Sequence, residues 1–437
     1  MSNNDSTRAG DIKEFTIGNL GKDLSMLAIE VYYYEDVFQP SIEARIQILE
    51  TGMSDNKAPI GILNDPSNPI RGGEEVNLVI RDNQQKPTTL SFKGSKSLYV
   101  TKVSNMEPGT QKDYYSIDVC SKEHLDNNLT RVVKRYNEKI SESVSNILTN
   151  VLGTPKTKDI DSTALPYNFI GNDKKPFYIC SWLAGKSVPE TGGKKAGYFF
   201  FENYDGFKFK AIDNLLTGSA KKKYVLTGKP GLPPSGDYDS QIVSVNVSRY
   251  IDLERNLNMG MYANRTLYFD YVAMEYKPRE YSISEQKDGV NNAGKQDLSW
   301  TATAFSQSPS RLMSHVYDIG TLPSGDTPKE QLKTWKNTPE GDAAANFDAY
   351  DTMVQSFMRY NQLFTIKTDV MIAGDFSLRA GDLVYCEFPT LTVDKNKPVN
   401  KETGGIYMIA SLCHRITRDN CYTSLTLVRD TFGRKPF

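Results

Sequence analysis

The sequence has few histidines and cysteines, no long apolar run and no excess of charge. Its three histidines, His124, His315 and His414, and its five scattered cysteines supply few ligands or nucleophiles, and an odd number of cysteines suits reduced thiols made in a cytosol. The 52 basic and 53 acidic residues nearly cancel, which indicates no general attraction to nucleic acid or anionic membrane. No apolar run approaches about 18 residues, so we expect no transmembrane helix and no membrane insertion. The polar segment 1–11 does not fit a signal peptide, and we expect a disordered tail there.

Two short motifs match parts of known functional sites, and neither has the context that the site requires. Gly185-Lys186-Ser187 matches the end of a phosphate-binding P-loop, but Cys180 stands where that loop needs its first glycine, and a predicted helix precedes it. Cys413-His414, with Cys386 and Cys421 nearby, could offer zinc ligands, but adjacent residues on a strand point to opposite faces. We therefore expect no catalytic, cofactor-binding or metal-binding residues.

Residues 376–429 alternate β-branched and aromatic residues between turns of Gly, Asp and Asn, which is typical of half-buried antiparallel strands. The same pattern recurs near the N-terminus at a constant offset of 308 residues, and the turns keep this register as well as the strands. Because chance rarely preserves both, we interpret the two stretches as a duplication. The matching segments are Ile70–Val76 with Leu378–Val384, Leu98–Val100 with Ile406–Met408, and Tyr114–Ile117 with Tyr422–Leu425.

Strict alternation also assigns the faces of the two central strands of this repeat. In the first copy, the predicted faces are Leu98, Val100 and Lys102 on one side, and Tyr99, Thr101 and Val103 on the other. In the second copy, the predicted apolar face holds Ile406, Met408, Ala410 and Leu412.

Between the two copies the pattern changes to helices. An apolar stripe predicts one helix that begins after Ser121 and ends at Gly153. The Pro- and Gly-rich segment 228–239 is the clearest linker, residues 242–261 fit either a strand or a helix, and the polar residues 285–345 resemble an insertion. Further predicted elements are a helix from Pro176, a hairpin over 197–212, a strand over 265–274 and a helix over 343–362.

With this order of meander, helical middle and barrel-closing C-terminus, the chain resembles the baseplate hub protein of contractile-tailed, T-even-like phages. That family is related to the hub part of type VI secretion spike proteins. The resemblance covers most of residues 12–430, except the segment 285–345. The stretches that carry it are KKPFYICSWLAGKSV, GYFFFENYDGFKFKAIDNLL, FSLRAGDLVYCEF and GGIYMIASLCHRITRDNCYTSLTLV.

The resemblance implies a mainly β fold with α+β parts, in which two tube-protein-like antiparallel β-barrel domains flank a helical, α+β middle domain. The expected boundaries are a disordered tail at 1–11, a first barrel at 12–121, a middle domain at 122–239, a second barrel at 240–284 and 346–437, and a polar insertion at 285–345.

The resemblance also implies a structural, non-enzymatic hub protein. Three copies would form a pseudo-six-fold ring that joins the six-fold tail tube to the three-fold central spike, with a channel for the tape-measure protein and for DNA in transit. The implied partners are a homotrimer of the chain itself, the central spike protein, the tail tube protein, the baseplate wedge proteins and the tape-measure protein. The implied location is the virion tail baseplate, after assembly in the host cytoplasm.

Other functions stay open at this point. The chain could be the hub of a related, type VI-like contractile injection system, a virion-associated polysaccharide hydrolase that uses an Asp/Glu pair, or a receptor-binding protein. The lack of an assignable catalytic motif favours a structural role over a hydrolase. The helical middle and the duplicated barrel favour it over a receptor-binding β-protein, where β-sandwiches without such helices are commoner.

Overall fold

The computed structural model describes residues 9–18, 22–51, 63, 70–107, 109, 112–164, 166–191, 197–226, 238–270, 274–286, 290–296, 305–316, 349–390 and 400–435. Most of the predicted tail at 1–11, the linker at 228–239 and the insertion at 285–345 lies outside these residues. Of the helices within the described ranges, none combines the length and apolarity needed to span a bilayer.

Seven strands form the N-terminal barrel: β1 (Asp11–Ile17), β2 (Ala28–Asp36), β3 (Glu43–Thr51), β4 (Glu75–Arg81), β5 (Thr89–Phe92), β6 (Leu98–Glu107) and β7 (Lys112–Ser121). Six of them pair antiparallel in the order β1-β4-β6-β7-β3-β2, and β5 pairs with β4. The Leu24 backbone N–H donates to the Phe15 carbonyl at 2.7 Å and so links the approach to β2 with β1. Alternate residues of these strands point inward and fill one apolar core. The strand β1 begins at Asp11, the last residue of the segment predicted to be a disordered tail.

The middle region consists of α1 (Lys122–Leu129), β8 (Arg135–Tyr136), α2 (Ile140–Asn146), a π-helical turn (Ile147–Val151), β9 (Lys158–Ile160), β10 (Phe169–Ile170), α3 (Pro176–Ala184), β11 (Tyr198–Asn203), β12 (Gly206–Ala211), α4 (Ile212–Thr217) and β13 (Lys222–Val225). The predicted hairpin is β11–β12, with β9 added in parallel. Proline begins α3, where its missing N–H costs nothing. These elements enclose a second, aromatic-rich core.

The single helix predicted over 121–153 is wrong, because an extended segment separates α1 from α2. In that segment the Val132 N–H donates to the Lys174 carbonyl at 2.9 Å, and Tyr136 pairs with Phe169 in the small β8–β10 sheet. The Tyr136 and Phe169 rings stack with centroids 4.9 Å apart. These tertiary contacts outweigh the helical propensity of a stripe that happened to continue across the break.

The C-terminal part consists of β14 (Ile242–Arg249), α5 (Leu253–Asn258), β15 (Ala263–Asp270), β16 (Glu275–Ser282), α6 (Ile283–Gln286), β17 (Arg311–Val316), α7 (Ala349–Leu363), β18 (Ile366–Ala373), β19 (Leu383–Glu387), β20 (Gly405–Thr417) and β21 (Cys421–Arg429). The ambiguous segment 242–261 is therefore a strand followed by a short helix. The second barrel has the order β13-β19-β20-β21-β18-β14 around its own core. A bridge between Val225 and Gln241 links its first and last strands.

The two barrels share one continuous sheet, because β2 of the first pairs antiparallel with β20 of the second. The resulting 13-stranded sheet confirms the mainly β fold class with an α+β middle. The strands β15, β16 and β17 form a separate three-stranded sheet with its own small core. Strand pairing thus groups residues 263–282 with part of the polar segment 285–345, while the domain boundaries themselves stay a prediction.

Candidate functional site

The two barrels repeat the same arrangement of five antiparallel strands. The order β4-β6-β7-β3-β2 in the first corresponds to β19-β20-β21-β18-β14 in the second. Two irregularities of pairing recur at equivalent places, which unrelated sheets have no reason to share. The register shifts lie at Ala28/Glu30 and Val100/Lys102 in the first barrel and at Ile242/Ser244 and Ile409/Ser411 in the second.

The predicted offset needs one correction, in the central strand of the repeat. Residues of β4 and β7 correspond to residues of β19 and β21 that lie 308 positions later. Residues of β6 correspond to residues of β20 that lie 309 positions later, because only this offset gives them equivalent pairing partners. One residue is therefore inserted before β20. Leu98 corresponds to Tyr407, and Val100 corresponds to Ile409.

The predicted faces of the central strands change accordingly. In β6 the bulge after Val100 reverses the alternation, so that Val103, and not Lys102, joins Leu98 and Val100 against the first core.

In β20 the prediction of a single apolar face is wrong, because both faces are buried. Tyr407, Ile409 and Leu412 pack in the core of the second barrel. Met408 and Ala410 pack on the opposite face, in a cluster that includes side chains of β11 and α7. A strand that is buried on both faces has a continuous apolar run, so an alternation of polar and apolar residues cannot show which face points into the barrel.

A glycine with positive φ begins each copy of the repeat. Gly73 has φ +90° and Gly381 has φ +88°, a region that side chains with a Cβ rarely adopt. The Gly73 N–H donates to the Val100 carbonyl and the Gly381 N–H donates to the Ile409 carbonyl, both at 2.8 Å. The sequence match of the two glycines thus reflects one hydrogen-bonded turn used twice.

A carboxylate completes this turn in both copies. In the first, the Arg71 N–H donates to Glu74 Oε1 at 2.6 Å, and in the second, the Arg379 N–H donates to Asp382 Oδ2 at 2.8 Å. A carboxylate that accepts from a backbone N–H within its own turn fixes the turn and leaves the following strand in register.

A buried glutamate lies where the two barrels meet. Glu35, near the end of β2, accepts hydrogen bonds from the Tyr33 hydroxyl, the Tyr204 N–H and the Ala380 N–H, each at 2.8 Å. Burial raises the pKa of Glu35 to about 7, against the lowering effects of Arg379 and of these hydrogen bonds. Glu35 thus links the first barrel, the middle hairpin and the repeated turn of the second barrel.

A buried ion triad links the first barrel to the middle region. Lys156 Nζ lies 2.6 Å from Glu123 Oε2 and 2.6 Å from Glu202 Oε1. Glu202 Oε2 also accepts from Ser121 Oγ at 2.7 Å and from the Ile42 N–H at 3.1 Å. Burial is the largest influence on the pKa of Glu202 and raises it. Burial would lower the pKa of Lys156, but the two carboxylates outweigh it and raise that pKa.

A second buried triad links α7 to the middle region and to the second barrel. The Arg359 guanidinium donates to Asp213 Oδ1 and to Asp430 Oδ2, both at 3.0 Å, and to the Asn291 carbonyl at 2.6 Å. In both triads the cation lies between two carboxylates from other segments of the chain and so holds these segments together. Sequence reasoning missed both triads, because their members are far apart in the chain and no local pattern marks them.

The residues of the rejected zinc motif lie in the second barrel, on β19, β20 and β21. His414 is fully buried, with Nδ1 2.8 Å from Thr423 Oγ1, and burial lowers the pKa of His414 to about 3. Its neighbour Cys413 lies on the other, half-buried face. In the described ranges, no three His, Cys, Asp or Glu side chains are grouped closely enough to hold a metal ion.

The side chains of the rejected P-loop motif make contacts within the middle region. Lys186 is buried, with Nζ 4.7 Å from the Trp182 ring centre and 5.0 Å from the Tyr167 ring centre. Ser187 Oγ donates to the Leu183 carbonyl at 2.9 Å. The segment follows α3, and its lysine packs on aromatic rings, an arrangement unlike a phosphate-binding loop.

Two solved structures have the same fold over nearly their whole length. The 43 kDa tail protein of prophage MuSo2 from Shewanella oneidensis is 9% identical, with a TM-score of 0.51, 96% of this chain and 100% of that chain being covered. A tail protein from Neisseria meningitidis MC58 is 8% identical, with a TM-score of 0.56 and 97% of each chain covered. No protein-family model and no curated protein matches the sequence. At the level of the fold, the comparisons bear out the resemblance: this chain has the fold of these two tail proteins.

Proposed function

We propose that this chain is a structural hub protein of a contractile phage tail baseplate. The observation that carries the proposal is the duplicated barrel, whose five strands, bulges and turns recur within one chain. A protein with two equivalent barrels can present six nearly equivalent units with three copies, which suits a junction between a six-fold and a three-fold structure. The fold shared with the two tail proteins, one of them from a prophage, supports the same role.

In this role, three chains form a pseudo-six-fold ring between the tail tube protein and the central spike protein. Baseplate wedge proteins surround the ring, and its channel passes the tape-measure protein and DNA. The protein acts without catalysis, cofactor or metal, as a component of the virion tail assembled in the host cytoplasm. The buried ion triads suit this role, because they rigidify the joints between barrels and middle region.

The test is the mass and shape of the purified full-length chain. Native mass spectrometry, alone and with the spike protein of the same tail, should give a trimer, and negative-stain electron microscopy should show rings with a central hole and six peripheral lobes. A stable dimer or hexamer under both conditions would refute the proposed ring.

A further inference from the structure

The buried triad of Lys156, Glu123 and Glu202 holds a primary amine against two carboxyl groups, away from water. The exposed fraction of the side chain is 4% for Lys156, 3% for Glu123 and 0% for Glu202. Burying charges costs more free energy than burying neutral groups, so such a site favours a reaction that removes charges. An amine and a carboxylic acid can remove two charges by condensing to an amide and releasing water.

The amine and one carboxyl carbon are close to the separation that this condensation needs. Lys156 Nζ lies 2.6 Å from Glu123 Oε2. A carboxyl carbon lies about 1.2 Å from its oxygen, so Nζ is within about 4 Å of Glu123 Cδ. Groups held with their reacting atoms about 3–3.5 Å apart react as if at a very high concentration. The folded chain therefore supplies a proximity that two free side chains in water lack.

Thr154 positions both the amine and the carboxyl group. Its Oγ1 donates to Glu123 Oε1 at 2.6 Å and accepts from the backbone N–H of Lys156 at 3.2 Å. A donor on Oε1 polarises the carboxyl group and stabilises the negative charge that this oxygen carries in a tetrahedral intermediate. Glu123 is thus the carboxyl group that is prepared for attack.

Glu202 is arranged to move protons between these groups. Its Oε1 lies 2.6 Å from Lys156 Nζ, and its Oε2 accepts from Ser121 Oγ at 2.7 Å and from the Ile42 N–H at 3.1 Å. These donors hold the carboxylate in one orientation, and burial raises the pKa of Glu202. A fixed carboxylate with a raised pKa, in contact with the amine, suits a general base that takes protons from Nζ and passes them on.

We propose that Lys156 and Glu123 form an intramolecular isopeptide bond, with Glu202 as the catalytic general base and acid. Lys156 Nζ bonds to Glu123 Cδ and the bond from Cδ to Oε2 breaks. Two of the three ammonium protons pass through Glu202 to Oε2, which leaves as water. Glu202 ends as it began, so atoms and charge balance without a further reactant. The bond joins the start of α1 to the segment before β9, and it goes beyond the proposed hub function without depending on it.

Two other ion pairs of the chain show why this triad stands apart. The triad of Arg359 is as deeply buried, but a guanidinium group stays protonated and is not a nucleophile, so this triad should remain ionic. Lys139 Nζ lies 2.7 Å from Glu190 Oε1, but this pair is open to solvent, and water stabilises both charges. Lys139 should therefore stay unlinked.

The test is mass spectrometry of the full-length chain under denaturing conditions, where ion pairs separate and an amide bond persists. The intact chain should be lighter than its sequence by the mass of a water molecule. A tryptic digest should contain residues 123–131 joined to residues 140–158, because trypsin does not cleave after an acylated Lys156. Cleavage after Lys139 in the same digest serves as the internal control.

Two variants separate this bond from other losses of water. Lys156→Arg keeps a cation between the two carboxylates but lacks the nucleophile, and Glu202→Gln keeps the shape of the side chain but lacks the base. Both variants should have the full mass of their sequence, since general acid–base catalysis contributes about 100- to 10,000-fold to a rate. Circular dichroism checks that they fold.

The wild-type chain alone can overturn the proposal, whether or not the variants fold. A full sequence mass together with cleavage after Lys156 would refute the bond. Residues 140–158 joined to the peptide that contains Glu202 would refute the roles assigned to the two carboxylates. The same loss of water in Lys156→Arg would place the reaction elsewhere and also refute the bond. Because the chain is measured denatured, its oligomeric state does not affect these results, and a failed ring would leave them intact.

Discussion

The buried carboxyl group of Glu35 should make this protein less stable as the pH rises through the neutral range. The pKa of Glu35 is raised from 4.5 to about 7 by burial, so the folded state binds a proton more tightly than the unfolded state. A group with a raised pKa of this kind contributes its stability at low pH and loses it between the unfolded and the folded pKa. For Glu35 that window runs from about pH 4.5 to about pH 7.

The size of the effect follows from the shift. One pKa unit corresponds to about 1.4 kcal/mol, and between pH 5 and pH 8 the contribution of Glu35 to the free energy of unfolding should fall by about 2.5 kcal/mol. The variant Glu35→Gln cannot titrate. Its amide also turns an N–H group toward one of the donors Tyr33, Tyr204 and Ala380, which costs about 1–3 kcal/mol.

Urea unfolding at fixed protein concentration, followed by far-UV circular dichroism, measures both the pH-dependent contribution of Glu35 and the cost of the amide in Glu35→Gln. Glu35→Gln should be clearly less stable than the wild type at pH 5, and the difference should shrink by about 2.5 kcal/mol at pH 8. The change Glu190→Gln, at an exposed carboxylate beside Lys139, controls for the loss of one negative charge. If the difference between Glu35→Gln and wild type is the same at both pH values, Glu35 does not titrate in this range and the reasoning fails.

Three further outcomes are expected. Met408→Asp should lower the free energy of unfolding by at least about 3 kcal/mol, because it buries an unpaired charge. The control Met26→Asp, at an 81% exposed position, should change the free energy of unfolding little. Equal denaturation midpoints for the two variants would contradict the burial of Met408. Lys156→Met leaves Glu123 and Glu202 buried without their cation and should lower the free energy of unfolding by about 3–5 kcal/mol in the same assay. An unchanged denaturation midpoint would show that the triad is dispensable. Glycan-release assays on bacterial cell walls and elemental analysis should both be blank, and robust turnover that one carboxylate substitution abolishes would establish an enzyme.

The parts of the fold that the sequence predicts are those controlled by local chemistry. The hairpin β11–β12 follows from an Asp-Gly pair between apolar runs, and α3 begins at Pro176. The duplication is visible in the sequence because the turn of each copy needs a glycine with positive φ followed directly by a carboxylate, Gly73 with Glu74 and Gly381 with Asp382. In these places a few neighbouring residues determine the backbone conformation, so the local sequence is enough to predict it.

The parts that the sequence does not predict are decided by distant residues. The break between α1 and α2 depends on pairing with Lys174 and Phe169, which no local pattern shows. The bulge after Val100 changes which residues of β6 point inward, and a bulge leaves no reliable mark on alternation. The buried triads of Lys156 and Arg359 join residues separated by tens to hundreds of positions. A sequence read along its length gives no means of pairing such charges.

The sixth strand of each barrel shows which parts of the repeat are constrained. β1 completes the first barrel antiparallel to β4, whereas β13 completes the second barrel parallel to β19. Either direction supplies backbone hydrogen bonds and a buried aromatic side chain, Phe15 in β1 and Tyr224 in β13. The five strands with matching order and bulges, in contrast, include the edges through which β2 meets β20. Closing a barrel tolerates a strand of either direction, but joining one barrel to the next requires a fixed register. The repeat is therefore preserved where the two barrels of the chain meet.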